Sequence, residues 1–238
     1  MPNIGPKLMR VASYNIHKSV GFDRRRNPLR ILETINDINA DVIALQEVDR
    51  RLGERETTLS KTLIREHTDF EPAPISDKLK SIGWHGNTIL VRRGTPIITT
   101  AKLELPTLEP RGAILIEFDW QGQMVRMISG HFGLTPKYRQ KQLQAISDKL
   151  KSLPELPTIL LGDFNEWRSQ KGFEALPVNY KLHTPGKTYP AIRPIVPLDR
   201  IATSHSIKVT KASVFKQGRS MIASDHLPVW ADLQLETI

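Results

Sequence analysis

Apolar positions along the chain fall into short runs separated by polar breaks, and their period predicts the elements. Leu8 to Ile16 (LMRVASYNI) reads as a strand. Asn27-Pro28 then starts a helix, with Asn as N-cap and Pro at the first helical position. Ile31, Leu32, Ile35 and Ile38 follow at helical spacing, so this helix buries one face. Asp41 to Leu45 (DVIAL) is a short, continuous apolar strand, as expected where both faces of a sheet are covered. Thr88 to Arg92, Gly112 to Phe118 and Met124 to Ser129 suit β structure, with Trp120 to Gln123 as the hairpin turn between the last two. Thr135-Pro136 starts a second helix whose inner face carries Leu143, Ile146 and Leu150. Thr158 to Leu161 is another buried strand, and late strands are expected at Asp199 to Ala202, Ile207 to Val214 and Val229 to Leu235. The Pro-rich stretch from Pro185 to Pro197 reads as an irregular loop. Strands interrupted by two helices predict an α/β protein with mixed sheets, packed sheet on sheet with helices outside. With no repeat, low-complexity tract or long linker, residues 1–238 read as a single domain.

Polar residues with chemical potential collect at the ends of these strands. Asn15 closes the first and Glu47 follows the second; His131 follows Ile128-Ser129-Gly130, and Asp163 and Asn165 follow Leu161-Gly162. Asp199 opens a strand, and Asp225-His226 precedes the last one. If those two late strands run antiparallel to the others, all these residues meet at one edge, where open α/β proteins place their sites. Singly, each has an ordinary role: Asn15 an Asx turn, Gly162-Asp163-Phe164-Asn165 a simple turn, Asp225 a helix cap, Glu47 a solvated carboxylate. Together they suit phosphoester hydrolysis, which needs charge stabilised on phosphoryl oxygens and a water oriented in line. Carboxylate and amide oxygens favour Mg²⁺ or Mn²⁺, and histidine supplies proton transfer near neutral pH.

Composition narrows the field. With 39% hydrophobic residues the chain can bury a substantial core, and with no cysteine it has no thiol nucleophile, cysteine zinc site or disulfide. Neither Gly-x-Ser-x-Gly nor a phosphate-binding P-loop sequence is present. Met1 to Arg10 has no apolar signal core and no run approaches a membrane span, so a cytoplasmic protein is expected. The net charge of +9 favours polyanionic partners, nucleic acid or an acidic membrane surface, over the plain alternative of a merely basic enzyme. No obligate protein partner is indicated.

Tyr14-Asn15-Ile16, Leu45-Gln46-Glu47-Val48, Gly130-His131, Gly162-Asp163-Phe164-Asn165, Leu198-Asp199-Arg200-Ile201 and Ser224-Asp225-His226-Leu227-Pro228 resemble, in order, the motif set of the endonuclease/exonuclease/phosphatase superfamily. The resemblance implies a four-layered α/β sandwich, two face-to-face mixed β-sheets flanked by helices, with the site at one end. It implies Glu47 as principal metal ligand, with Asn15 and Asp225 in the same metal region. It also implies that Asp163 orients or deprotonates the attacking water and Asn165 holds a phosphate oxygen. His226, steered by Asp199, would act on the phosphate or nucleophile, with His131 as a second acid/base or phosphate contact. Arg111 stands where some relatives bind phosphate, and Asn87 resembles a Gly-Asn-Ala element; a solvated arginine and a turn asparagine are the alternatives. Leu161 and Leu198 stand near places where inositol-polyphosphate phosphatases carry Trp, and Asp199-Arg200 replaces the Asp-Tyr of apurinic-site endonucleases. The likeness is to short bacterial, deoxyribonuclease-like members, whose motifs do not fix the substrate; with the positive charge, which suits a phosphate backbone, the expectation is a Mg²⁺- or Mn²⁺-dependent phosphodiesterase cutting nucleic acid, DNA foremost. A phospholipase C-like, sphingomyelinase-like or small-molecule phosphoesterase is the alternative, with anionic phospholipid as its partner; no long apolar insertion points to membrane docking.

Overall fold

The structure, a computed structural model, describes residues 8–50, 54–168 and 172–236. One mixed sheet is built from β1 (Met9–Asn15), β2 (Val42–Gln46), β3 (Phe70–Pro72), β4 (Thr88–Arg92), and, from the end of the chain, strands at Ile207–Val214 and Val229–Leu235. The other holds β5 (Ile97–Glu104), β6 (Gly112–Trp120), β7 (Gln123–His131), β8 (Thr158–Asp163), β9 (Tyr180–His183) and β10 (Asp199–Ser204). With the two late strands numbered β11 and β12, the orders are β11-β12-β1-β2-β4-β3 and β5-β6-β7-β8-β10-β9. β1 and β2 pair in parallel, as do β7 and β8; the other pairings are antiparallel.

Alternating side chains send each strand's two faces to different layers. From β2, Val42 and Ala44 join Ile114, Ile116, Met127, Ile159 and Leu161 in the core between the sheets. Ile43 and Leu45 face the other way, onto Ile31, Leu32, Ile35 and Ile38 of helix α1 (Pro28–Ile38) and Ile64 of α2 (Lys61–His67). On the far side, Leu115, Ile128 and Leu160 pack against Leu143 and Ile146 of α3 (Pro136–Lys151). Helices, sheet, sheet and helix make the four-layered sandwich that the motifs imply. Asn27 caps α1 as expected, its side-chain oxygen accepting from the amides of Leu29 and Arg30 at 3.1 and 3.4 Å. The β6–β7 hairpin turns on Gln121 and Gly122, both at positive φ (59° and 88°), the geometry a two-residue turn demands. Among the described residues no helix is long and apolar enough to cross a membrane.

Elements absent from the sequence reading are mostly the sheet margins. β3, β5 and β9 are edge strands; half-exposed, they lack the continuous apolar signature of strands covered on both faces. α2 buries only Ile64, too little to show a period.

The pairing of β7 with β8 sets up the site. Gly130 lies opposite Gly162, and His131 opposite Asp163, in register. Gly162 has φ +151°, and a Cβ there would lie 1.9 Å from the Gly130 carbonyl oxygen. Gly162→Ala is therefore expected to cost about 3 kcal/mol and lower the melting temperature by roughly 6–12 °C. A shift under about 2 °C in a thermal melt would contradict so close a backbone approach.

Candidate active site

The end of the sandwich carrying the C-termini of β1, β2, β7 and β8 also receives the N-termini of β10 and β12, because these two run antiparallel to β8 and β1. Asp199 thereby stands opposite Asp163 in register. The segment before β12 is tied to the end of β1, with Ser224 Oγ donating to the Asn15 carbonyl oxygen at 2.7 Å.

At the centre is Asp163, 1% exposed. Its Oδ2 accepts from Asn15 Nδ2 at 3.0 Å across the seam between the sheets. His131 Nε2 lies 3.3 Å from the same oxygen and His226 Nε2 3.8 Å. Oδ1 accepts the Asn165 amide at 2.9 Å. Burial alone would push this carboxyl up, but the adjacent His226 and His131 outweigh it and hold Asp163 well below the usual carboxylate range. Asp163 is thus ionised, a positioned acceptor rather than a strong base.

The two histidines differ. Burial lowers both, but His226 Nδ1 is 2.9 Å from Asp199 Oδ2, and with Asp199 and Asp163 beside it the ring is pushed up to about 9. His131 is driven down by burial, which Asp163 only partly offsets, and Arg111, whose guanidinium meets Nε2, adds to the fall. Near pH 7 His226 is an imidazolium and His131 a neutral imidazole. Asp199 itself, buried, has its carboxyl pushed up by desolvation and pulled back by His226. Two titratable groups in one site, moved apart by their surroundings, suit distinct roles.

Beside this cluster opens a cavity of about 390 Å³, lined by Lys18, Glu47, Arg55, His85, Arg111 and His131 among others. Glu47 adopts φ +56°, a left-handed conformation unusual for a glutamate. Its backbone is held there: Lys18 N donates to the Glu47 carbonyl at 2.9 Å, and Val48 N to the Gly86 carbonyl at 3.0 Å. The Lys18 ammonium pairs with the Glu47 carboxylate.

Asn15, His131, Asp163, Asn165, Asp199 and His226 form one connected group, with Glu47 and Arg111 on the cavity wall. Asp225 sits at the margin, a third exposed, with Oδ1 3.7 Å from His17 Nδ1. Asn165 spends one N–H on the Phe132 carbonyl at 2.9 Å, leaving the other. Asn87 lies deeper. Fully buried, it donates through Nδ2 to the Gly112 carbonyl at 3.0 Å, joining the turn before β4 of one sheet to the start of β6 of the other; this placement suits a tie beneath the site rather than a direct phosphate contact.

Among the described residues, potential ligand atoms of Asp163, Asp199 and His226 lie within 4.8 Å of one another. His226 Nδ1 is already engaged by Asp199 Oδ2, while the other Asp199 oxygen, Oδ1, is buried without a hydrogen-bond partner. Glu47 offers a better fit to a hard divalent ion: an oxygen donor on an accessible cavity wall, already drawing a cation in Lys18.

Sequence reasoning missed several residues that shape the site. Lys18 lies three positions past Asn15, and only its ion pair with Glu47 reveals it. Arg200, buried, donates to the Glu166 and Arg168 carbonyls at 3.2 and 3.0 Å, fastening the loop after Asp163. Arg139 of α3 grips the same loop through Glu166 at 2.5 Å. The Tyr189 ring packs 5.0 Å from that of His226. Exposed apolar side chains also gather nearby, Leu134, Trp167 and Ile195 among them. The sequence showed no such cluster because its members come from three separate loops.

Comparison with known proteins agrees with this fold. The chain is 26% identical to "Uncharacterized protein YbhP" of Escherichia coli strain K12, over 95% of this chain and 96% of that one. Its fold is similar to that of D. rerio TDP2, solved in complex with single strand DNA product (TM-score 0.75, 17% identity, 96% of this chain and 99% of that one). It is also similar to Bacteroides thetaiotaomicron VPI-5482 mannosyl-6-phosphatase Bt3783 (TM-score 0.75, 19% identity, 94% and 99%). Residues 12–226, from within β1 to His226, match the family model of the Endonuclease/Exonuclease/phosphatase family, and the chain belongs to that family.

Proposed function

We propose that the chain is a divalent-metal-dependent phosphodiesterase that hydrolyses nucleic acid, DNA foremost. The observation that carries this reading is the buried Asp163 carboxylate, kept ionised between Asn15, His131 and His226 beside a cavity walled by Glu47. Membership of the family and the likeness to a DNA-bound TDP2 support it, and the net charge of +9 suits a phosphate backbone.

Glu47, with Asn15 and Asp225 in the same region, would hold Mg²⁺ or Mn²⁺, which when bound supplies positive charge against the phosphoryl and leaving oxygens. The protein groups do the rest. Asp163, too acidic to be a strong base, orients a water for in-line attack on phosphorus. His131, neutral near pH 7, takes the proton that water loses once Arg111 turns from its Nε2 to the phosphate, as the new P–O bond forms and the ester P–O bond breaks, the leaving oxygen being protonated from solvent. The His226 imidazolium donates to a phosphoryl oxygen, its ring held by Asp199. Asn165, through its remaining N–H, and Arg111 hold the other oxygens.

Purified protein with Mg²⁺ is expected to cleave DNA oligonucleotides, and to lose that activity in EDTA. Turnover of a sugar phosphate with none of DNA would replace this reading by a phosphomonoesterase, the reading that likeness to the mannosyl-6-phosphatase favours. Turnover of phospholipid alone would favour the lipid alternative, to which the exposed Leu134, Trp167 and Ile195 lend some support.

A further inference from the structure

A second cleft, of about 410 Å³, opens on the Asn165 side of the catalytic group. Leu134 lines both this cleft and the cavity holding Glu47, so the two flank the catalytic centre with a single ridge between them. Its walls include Trp167, Tyr189 and Ile195. Two of its lining residues touch the catalytic group directly: Asn165 through its amide on Asp163 at 2.9 Å, and Tyr189 through its ring against His226 at 5.0 Å. A group seated here would therefore be attached close to the phosphate undergoing reaction.

Trp167 is 67% exposed, yet its segment is not slack. Buried Arg200 binds the carbonyls on both sides of it, at Glu166 and Arg168, and the Glu166 side chain is held by Arg139. The fold thus spends two buried arginines on presenting one indole to solvent beside the site. A large exposed ring on a fastened segment is a binding surface in waiting.

We propose that this cleft receives an unpaired nucleobase adjoining the scissile phosphate, so that the enzyme works on single strands or frayed ends rather than within intact duplex. This rests on the nucleic-acid reading above. Single-strand binding combines cationic tracking of the backbone with aromatic rings on which bases stack. Lys18, Arg55 and Arg111 in the first cavity, and Trp167 and Tyr189 in the second, provide those two halves on opposite sides of the centre. A base inside a duplex is already stacked and cannot enter. An acyl chain fits the lining less well, because Asn165, Arg168 and the Arg139–Glu166 pair border the cleft, and the edges of a base carry donors and acceptors to meet such groups.

The test uses full-length protein made inactive by Asp163→Asn, with fluorescein-labelled dT₁₀ and a 10-base-pair duplex as probes. Adding Trp167→Ala should weaken dT₁₀ binding about tenfold or more, while Trp167→Phe stays within about threefold and duplex binding changes less than twofold. Thermal melts establish that both variants fold. A dT₁₀ strand carrying 5-iodouracil should crosslink under ultraviolet light to Trp167 or Tyr189. Unchanged dT₁₀ affinity in Trp167→Ala, with DNA binding otherwise intact, would overturn the cleft proposal alone. If the Asp163→Asn protein binds neither probe and the active protein cleaves no nucleic acid, the underlying substrate reading falls with it. Should Trp167→Ala abolish sedimentation with anionic phosphatidylglycerol vesicles yet leave dT₁₀ binding unchanged, the cleft belongs to lipid instead.

Discussion

Glu47→Gln is expected to lower turnover roughly a thousandfold in millimolar Mg²⁺ while leaving the fold cooperative. The substitution keeps the shape of the side chain and removes the negative charge that draws a hard cation. A bound ion supplies several kcal/mol of charge stabilisation in the transition state, and each tenfold in rate corresponds to about 1.36 kcal/mol. The neighbourhood sharpens the expectation. Lys18 pairs with Glu47, so the carboxylate is ionised and already holds a cation. The left-handed φ of +56° at Glu47 is a local strain that the surrounding backbone hydrogen bonds over-determine. That backbone does not depend on the side-chain charge, so melting should change little. Turnover followed across a Mg²⁺ titration, with a parallel thermal melt and calorimetric measurement of Mg²⁺ binding, checks all three points. Near-normal turnover at low Mg²⁺ would remove Glu47 from the metal site, and a collapsed melting transition would assign it a structural role.

How far the sequence carries such arguments depends on where a residue's partners lie. β2 and β8 were legible because their apolar runs are covered on both faces, whereas the antiparallel return of β10 and β12 entered only as a condition, which the pairings meet. On that condition Asn15, Glu47, His131, Asp163, Asn165, Asp199 and Asp225-His226 were expected at one edge before any contact was known. What escaped was determined by partners distant in the chain. Arg139 and Glu166 are 27 positions apart, and Arg200 and Glu166 are 34 apart; neither spacing has a local signature. Asn87 illustrates the opposite case. Its motif suggested phosphate or a turn; it does close a turn, its backbone N–H donating to the Trp84 carbonyl at 2.9 Å, and its side-chain amide also reaches 25 residues along the chain to Gly112, a bond between sheets that no periodicity announces. The cleft beside Trp167 was hidden for a third reason: its apolar residues never form a run, so hydropathy along the chain is silent about them.

The Asp199–His226 pair should behave as one unit. Asp199→Asn and His226→Ala are each expected to lower kcat by about 10²- to 10⁴-fold, and the double substitution by little more than the worse single one, because members of such a unit are not additive. The structural basis is the 2.9 Å contact between Asp199 Oδ2 and His226 Nδ1, both groups buried. Asp199 fixes the ring orientation and favours the imidazolium. The pH profile separates this from a merely structural role. The charged ring is present below its folded pKa of about 9 and is lost as pH rises through it, so kcat/KM of the unaltered enzyme should decline on the alkaline side near that value. In Asp199→Asn the carboxylate that raises the ring is gone, burial still opposes its charge, and the alkaline limb should move to lower pH. Asp163 remains to hold the ring partly charged, so the limb should shift rather than vanish. Fully multiplicative losses in the double variant, or an alkaline limb that stays in place in Asp199→Asn, would show that the two residues act separately.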